Sequence, residues 1–225
     1  MAFNSILCNA RIDDIDFSFY DLEGSIAAQS VVSELLHGCY PLDGIDFSPG
    51  DIVVDIGAHV GVFSIWLAKK FPFVNILAYE ALPINYANCQ RNIALNGVSN
   101  ISLNNMLVSS KSGEKKEIWL NRENTGGSSL HIQGRTETNE MDTISLDDIL
   151  KDIAHCKMLK IDVEGHEYEI LSACTQLEKV EWFLGEMHIN ATLSMKGYSM
   201  GHLWQHLASI IDPEKIRIGC CNMAE

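Results

Sequence analysis

Asp51-Ile-Val-Val-Asp-Ile-Gly-Ala-His-Val-Gly61 is the stretch on which the reading of the whole chain turns. Ile52, Val53, Val54 and Ile56 are β-branched and interrupted only by Asp55, which is the pattern of a strand buried on both faces of a parallel sheet. Gly57 and Gly61 then bracket a turn. Val62, Phe63, Ile65, Trp66 and Leu67 follow as a helix that stops at Lys69-Lys70, just before Pro72. A glycine turn between a strand and a helix lets the backbone approach a ligand closely, and the free amides of the helix start point at anionic groups. The expected occupant is a nucleotide-like cofactor.

Working outward, Val74-Asn-Ile-Leu-Ala-Tyr-Glu80 is a second apolar run ending in an acid, and Glu80 lies 23 residues beyond Gly57. An acid at that distance, on the end of the second strand of a βαβ unit, is placed to accept hydrogen bonds from a ribose diol. Pro83 opens a helix that Asn96-Gly97 closes, and Ile101 to Val108 reads as a third strand. Asn104-Asn105-Met106 near its end are candidate adenine contacts.

Met158-Leu-Lys-Ile-Asp-Val-Glu-Gly-His-Glu167 is the other informative stretch. Leu159 and Ile161 mark a buried strand, and Asp162, Glu164, His166 and Glu167 crowd the turn that leads to a helix from Tyr168 to Cys174. Carboxylates packed together repel, so this crowding points to function rather than to stability. Ligands of open α/β sheets bind beyond the carboxyl ends of the strands, which predicts that this cluster and the Gly57 turn face one crevice. A further strand from Val180 to Met187 brings Glu186 and His188 onto one face. His188 is a candidate general base near neutral pH or, with Asp162 and Glu186, a candidate holder of a divalent cation.

The remaining segments frame this core. Ser25 to His37 has helical spacing within residues 1–50, which read as an N-terminal cap able to close over a ligand. Asn121 to Ser129 is a small polar loop of the kind that borders a site, and Thr143 to Leu150 is a short strand or turn feeding a helix. A helix around Leu203 to Ile211 and a last strand around Ile216 to Cys220 complete the chain.

With 225 residues, 47% of them hydrophobic, the chain has enough material for one α/β domain: a cap over 1–50 and a core over 51–225. No apolar run approaches the roughly 20 residues of a membrane span, and no secretory leader is visible, so a soluble, cytoplasmic protein is expected. Thirty acids against 16 bases give a net charge of −14 without a basic cluster, which argues against nucleic acid as a partner. The seven cysteines lack paired zinc spacing and read as reduced thiols.

Taken together, Asp55-Ile-Gly-Ala-His-Val-Gly61, Glu80, Lys160-Ile-Asp-Val-Glu-Gly-His-Glu167 and Glu186-Met-His188 resemble the FkbM family of S-adenosylmethionine-dependent methyltransferases over roughly residues 50 to 190. The resemblance implies a Rossmann-like methyltransferase fold, α/β, with a mostly parallel seven-stranded sheet, one antiparallel strand near its edge and helices on both faces. It implies S-adenosylmethionine as cofactor, with Asp55, Gly57 and Gly61 at its methionine end, Glu80 at its ribose and Asp162 nearest the methyl group. His59, Ala81 and Asn105 complete the cofactor-binding candidates. His59 stands where the family more often has asparagine. The implied reaction is O-methylation of a hydroxyl on a sugar, polyketide or related small metabolite.

Methyl transfer requires the acceptor oxygen, methyl carbon and sulfur in line, and a hydroxyl acceptor must lose a proton. His188 is the expected base, assisted by Glu186 or Asp162, with Glu164 and His166 shaping the acceptor side. Three alternatives remain. They are a magnesium site formed by the acids for a diol acceptor, a nicotinamide-dependent oxidoreductase, and a non-catalytic binding module on the same fold. Gly-Ala-His-Val-Gly in place of Gly-x-Gly-x-x-Gly weighs against a seated pyrophosphate.

Overall fold

The computed structural model describes residues 4–121, 124–131 and 137–222. Its elements run β1 (Ser5–Ile12), β2 (Ile15–Leu22), α1 (Ala27–Leu36), β3 (Ile52–Ile56), α2 (Val62–Lys70), β4 (Asn75–Tyr79), α3 (Pro83–Asn96), β5 (Ile101–Asn104) and β6 (Leu107–Ser109). They continue with β7 (Lys115–Trp119), β8 (Thr138–Ser145), α4 (Leu146–Leu150), β9 (Cys156–Ile161), α5 (Glu167–Ala173), β10 (Val180–Ile189), α6 (Ala191–Met195), α7 (Met200–Ala208) and β11 (Ile216–Asn222).

The apolar runs around Val53, Ile76, Leu159 and Phe183 lie in the middle of a parallel sheet ordered β11-β10-β9-β3-β4-β5. Numbered by their place in the chain, these strands read 6-5-4-1-2-3, the doubly wound arrangement whose order reverses between β3 and β9. Alternate residues supply two cores. Val54, Ile56, Leu159, Ile161 and Phe183 pack with α4, α5 and α7 on one face. Val53, Ile76, Ala78, Met158 and Leu184 pack with α2, α1 and β2 on the other.

The expected seventh, antiparallel strand is absent among the described residues: the central sheet has six strands, all parallel. β11 runs parallel to β10 from the pair Phe183–Ile216 onward, and β6, β7 and β8 form a separate sheet ordered β6-β8-β7. The expected strand Ile101 to Val108 is split for the same reason. β5 pairs with β4 as far as Asn104, and β6 then pairs with β8 instead. Asn105 sits at the break, donating from Nδ2 to the carbonyls of Glu80 at 2.9 Å and Ala81 at 2.8 Å.

The N-terminal segment contains a β1–β2 hairpin that hydrophobic spacing does not announce. Ile12 pairs with Ile15 across Asp13-Asp14, both left-handed with φ of 50° and 62°, the geometry of a two-residue hairpin turn. β2 buries Phe17 and Phe19 and is fastened to α3 by side chains. Asn92 Oδ1 accepts from Tyr20 N at 2.6 Å while its Nδ2 donates to Tyr20 O at 3.0 Å, and Asn96, one helical turn on, repeats the pattern on Ser18. No helix among the described residues is long and apolar enough to cross a membrane.

Candidate active site

At the tip of β3, Asp55 is fully buried and committed to the fold. Its Oδ2 accepts from Ser64 Oγ on α2 at 2.6 Å, and its Oδ1 lies 3.2 Å from Lys160 Nζ, directly across the sheet on β9. Lys160 also donates to Gly57 O at 2.9 Å. Burial works against the Lys160 charge, but Asp55 and Asp162 outweigh it and raise its pKa. Gly57 has φ 83°, and a Cβ there would lie 1.9 Å from the Asp162 carbonyl oxygen. The space beside this glycine is therefore taken by the neighbouring strand tip, which corrects the expectation that its missing side chain makes room for a ligand. Gly61, with φ 89°, opens α2 against Cys89 Sγ.

His59 is left-handed with φ 52°, a conformation in which asparagine, aspartate and histidine are enriched. Its Nε2 is 2.8 Å from Thr125 Oγ1, its Nδ1 is buried without a partner, and burial lowers its pKa to about 4, leaving the ring neutral. Glu80 accepts from His59 N at 2.8 Å, Leu82 N at 2.9 Å and Asn85 Nδ2 at 3.3 Å. Burial nevertheless pushes its pKa up to about 7.

The turn after β9 is built around Glu167. This fully buried carboxylate accepts from Val163 N at 3.0 Å and Gly165 N at 2.9 Å, and lies 3.0 Å from His188 Nδ1. Glu164, between the two amides, is held left-handed at φ 54°, a costly conformation for a residue with a Cβ. His188 Nε2 faces Glu164 Oε2 at 3.8 Å and Asp162 Oδ1 at 4.0 Å. Burial opposes its charge, but the Glu167 bond and the charges of Glu167, Asp162 and Glu164 prevail and raise its pKa to about 10. The expectation of His188 as a free base near neutral pH is therefore corrected. His188 does not line the cavity: its Nδ1 is paired with Glu167, while its Nε2 faces Asp162 and Glu164 at separations longer than a hydrogen bond. His166 is held neutral, its pKa lowered to about 3 by burial, with Nε2 3.0 Å from Ser109 Oγ.

These tips enclose a cavity of about 250 Å³ at the β3–β9 reversal. Of the candidate residues, Gly57, His59, Glu80, Ala81, Asp162 and Glu186 line it, whereas Asp55, Gly61, Asn105 and His188 do not. Glu164 and His166, expected on the acceptor side, also line it, and so does the polar loop through Thr125.

Sequence reading missed Lys160 and, within the cap, Glu34 and Tyr40. Lys160 was legible as a cation flanked by Leu159 and Ile161 in an apolar strand. From α1, Glu34 lines the cavity, and burial first, then the charges of Glu186 and Asp162, raise its pKa to about 7. The Tyr40 hydroxyl donates to Glu186 Oε1 at 2.9 Å and lies 3.3 Å from Asp162 Oδ2. Neither residue carries a local signal, because their partners are more than 100 residues away. Five acids (Glu34, Glu80, Asp162, Glu164 and Glu186) and one lysine line the cavity among the described residues, and burial raises the pKa of Glu34, Glu80 and Glu164 to about 7.

Residues 55–210 match the model of a family described as the methyltransferase FkbM domain. Methyltransferase 1 of Beauveria bassiana is 26% identical over 180 residues, covering 69% of this chain and 71% of its own. The 31-O-demethyl-FK506 methyltransferase FkbM of Streptomyces tacrolimicus is 25% identical over 175 residues, 64% of this chain and 66% of its own. Among solved structures, a precorrin-6y C5,15-methyltransferase from Geobacter metallireducens superposes with a TM-score of 0.49 at 13% identity, over 82% of this chain and 77% of that one.

Proposed function

The chain belongs to the FkbM methyltransferase family, and from that premise we propose that it uses S-adenosylmethionine to methylate a hydroxyl of a small metabolite such as a sugar or polyketide. The observation that carries this reading is the acidic cavity at the sheet's reversal, closed on one side by Glu80 and His59 and on the other by Asp162, Glu164 and Glu186.

The residues present fit the cofactor. Glu80 makes three protein hydrogen bonds, and a carboxylate offers about four acceptor positions, which leaves room for a ribose hydroxyl. The unpartnered Nδ1 of His59 is a buried polar atom at the same wall, satisfied by a further hydrogen-bonding group. The carboxylates complement a ligand with ammonium and sulfonium charges. When bound, the cofactor supplies an electrophilic methyl group on a positively charged sulfur.

The protein's own part is alignment, exclusion of water and removal of a proton. Lys160, Asp55 and the Gly57–Asp162 contact fix the spacing of the two strand tips. α1 and the Thr125 loop cover the crevice. The acceptor's proton passes to the carboxylates beside Asp162, with Glu34 and Glu186 in reach of the cavity. His188 and Glu167 position the Asp162–Glu164 turn.

Thermal unfolding with S-adenosylmethionine, its demethylated product, NAD or no ligand tests the reading. Saturation at about 100 times Kd adds about 2.7 kcal/mol to stability. The first two ligands are expected to raise Tm and NAD to leave it unchanged. A rise with NAD alone would overturn the proposal in favour of hydride transfer.

A further inference from the structure

We propose that Asp162, Glu164 and His188 form a binding site for a divalent cation of the magnesium or manganese class, and that this cation grips the acceptor through two adjacent oxygens. The second half of the proposal rests on the methyl-transfer reading; the first does not.

One oxygen of each carboxylate and Nε2 of the imidazole lie within 4.8 Å of one another. The separations from Nε2, 3.8 Å to Glu164 Oε2 and 4.0 Å to Asp162 Oδ1, are too long for hydrogen bonds. They suit atoms facing a common centre. With metal–ligand bonds of about 2.0–2.2 Å, two ligands of one ion stand about 3 Å apart at a right angle and about 4.2 Å apart when opposed. The observed spacings fall inside that range, so an ion fits with small side-chain adjustment.

Two further observations separate this triad from an ordinary cluster of acids. His188 is only 5% exposed, and its Nε2 is aimed at both carboxylates from distances beyond hydrogen bonding. Its other nitrogen is paired with Glu167, the carboxylate–histidine arrangement that orients a metal-ligating imidazole and raises its basicity. The same Glu167 holds the amides on either side of Glu164 and so stabilises the left-handed residue that turns the Glu164 carboxylate toward the triad.

Two carboxylates and one imidazole are a predominantly hard donor set, which favours magnesium or manganese over thiophilic ions. Both acids line the cavity, so an ion held there presents its open positions to the ligand space. An octahedral ion with three protein ligands has three positions left, and two adjacent hydroxyls, or a hydroxyl beside a carbonyl, fill two of them. Coordination lowers the pKa of the reacting hydroxyl.

The test is a titration of the chelator-treated, dialysed protein with Mn²⁺ alone, followed by the loss of the free-ion electron paramagnetic resonance signal. One ion bound per chain is expected, displaced by excess Mg²⁺. Glu164→Gln, with its fold checked by circular dichroism, should weaken binding at least ~10-fold, and Glu167→Gln ~10- to 100-fold. Glu181→Gln, at a surface cluster with Lys157 and Lys215, should leave binding unchanged. Absence of Mn²⁺ binding, or binding indifferent to Glu164→Gln, would overturn the site and leave the methyl-transfer reading intact. Mn²⁺ binding in a protein that no methyl donor stabilises would uphold the site and remove that reading.

Discussion

Lys160 reaches two aspartates, Asp55 on β3 at 3.2 Å and Asp162 beyond β9 at 3.9 Å, and the two differ in nearly everything except that partner. Asp55 is sealed under the cavity floor, with one oxygen bonded to Ser64 and the other facing Lys160. The Asp162 side chain is 22% exposed and stands on the wall with Glu164, Glu186 and Tyr40 around it. In sequence the two look alike, each an acid at the end of an apolar run. The difference teaches that an acid at a strand end has two uses, and that burial separates them. Sealed inside the sheet, the acid holds strands together; standing at the cavity wall, it is open to a ligand.

The sharpest way to break the comparison is to neutralise each aspartate in turn. Asp55→Asn leaves a buried lysine short of its counter-charge and should cost about 3–5 kcal/mol in urea unfolding. Asp162→Asn should change stability by less than about 1 kcal/mol but lower turnover about 10²–10³-fold. Equal stabilities for the two variants would show that the burial difference carries no energetic weight.

A smaller effect is expected from Gly57→Ala, which adds a methyl group 1.9 Å from the Asp162 carbonyl at a φ of 83°. The tips must move apart, at a cost of about 1–3 kcal/mol. On the proposed methyl-transfer reading, which sets Asp162 nearest the methyl group, turnover should fall more than cofactor affinity does. Kd by calorimetry alongside kcat separates the two.

The smallest effect concerns Glu80, which burial holds at a pKa of about 7 against an ordinary 4.5. Its carboxylate form is the better acceptor for a ribose diol, so cofactor affinity should weaken by at most about tenfold per pH unit below 7. Glu80→Gln should flatten that profile. The stability linkage has the opposite sign: with a raised folded pKa, the contribution of Glu80 is full below 4.5 and lost as pH rises through about 7. Calorimetric titrations between pH 6 and 8 read the first effect, and urea midpoints between pH 4.5 and 7 read the second.

Most of the sheet was legible because β3, β4, β9 and β10 are near-continuous apolar runs that only a doubly covered strand explains. The β1–β2 hairpin was not. Ile6 and Leu7 are exposed, so β1 shows no alternation of apolar and polar residues, and its turn is Asp13-Asp14 rather than the familiar Asn-Gly. β5 and β6 read as one strand because propensity cannot show which neighbour a segment pairs with. The cluster at Asp162 to Glu167 was visible as an excess of charge. The division of labour within it was not, since it depends on Glu167 turning inward to the amides of its own loop and to His188. Glu34 and Tyr40 were invisible for a simpler reason: only the folded chain brings them to partners so distant in sequence.

The asparagine fastening of β2 onto α3 bears on how such an enzyme diversifies. The hairpin joins neither of the other sheets, and through α1 it contributes Ala27, Ser30 and Glu34 to the cavity. The roof of the cavity is thus held by two amide side chains together with the apolar packing of α1 and β2 on α2, apart from the strands that set its floor. Changes at Ser30 or Glu34 recut that roof without touching any strand of the central sheet.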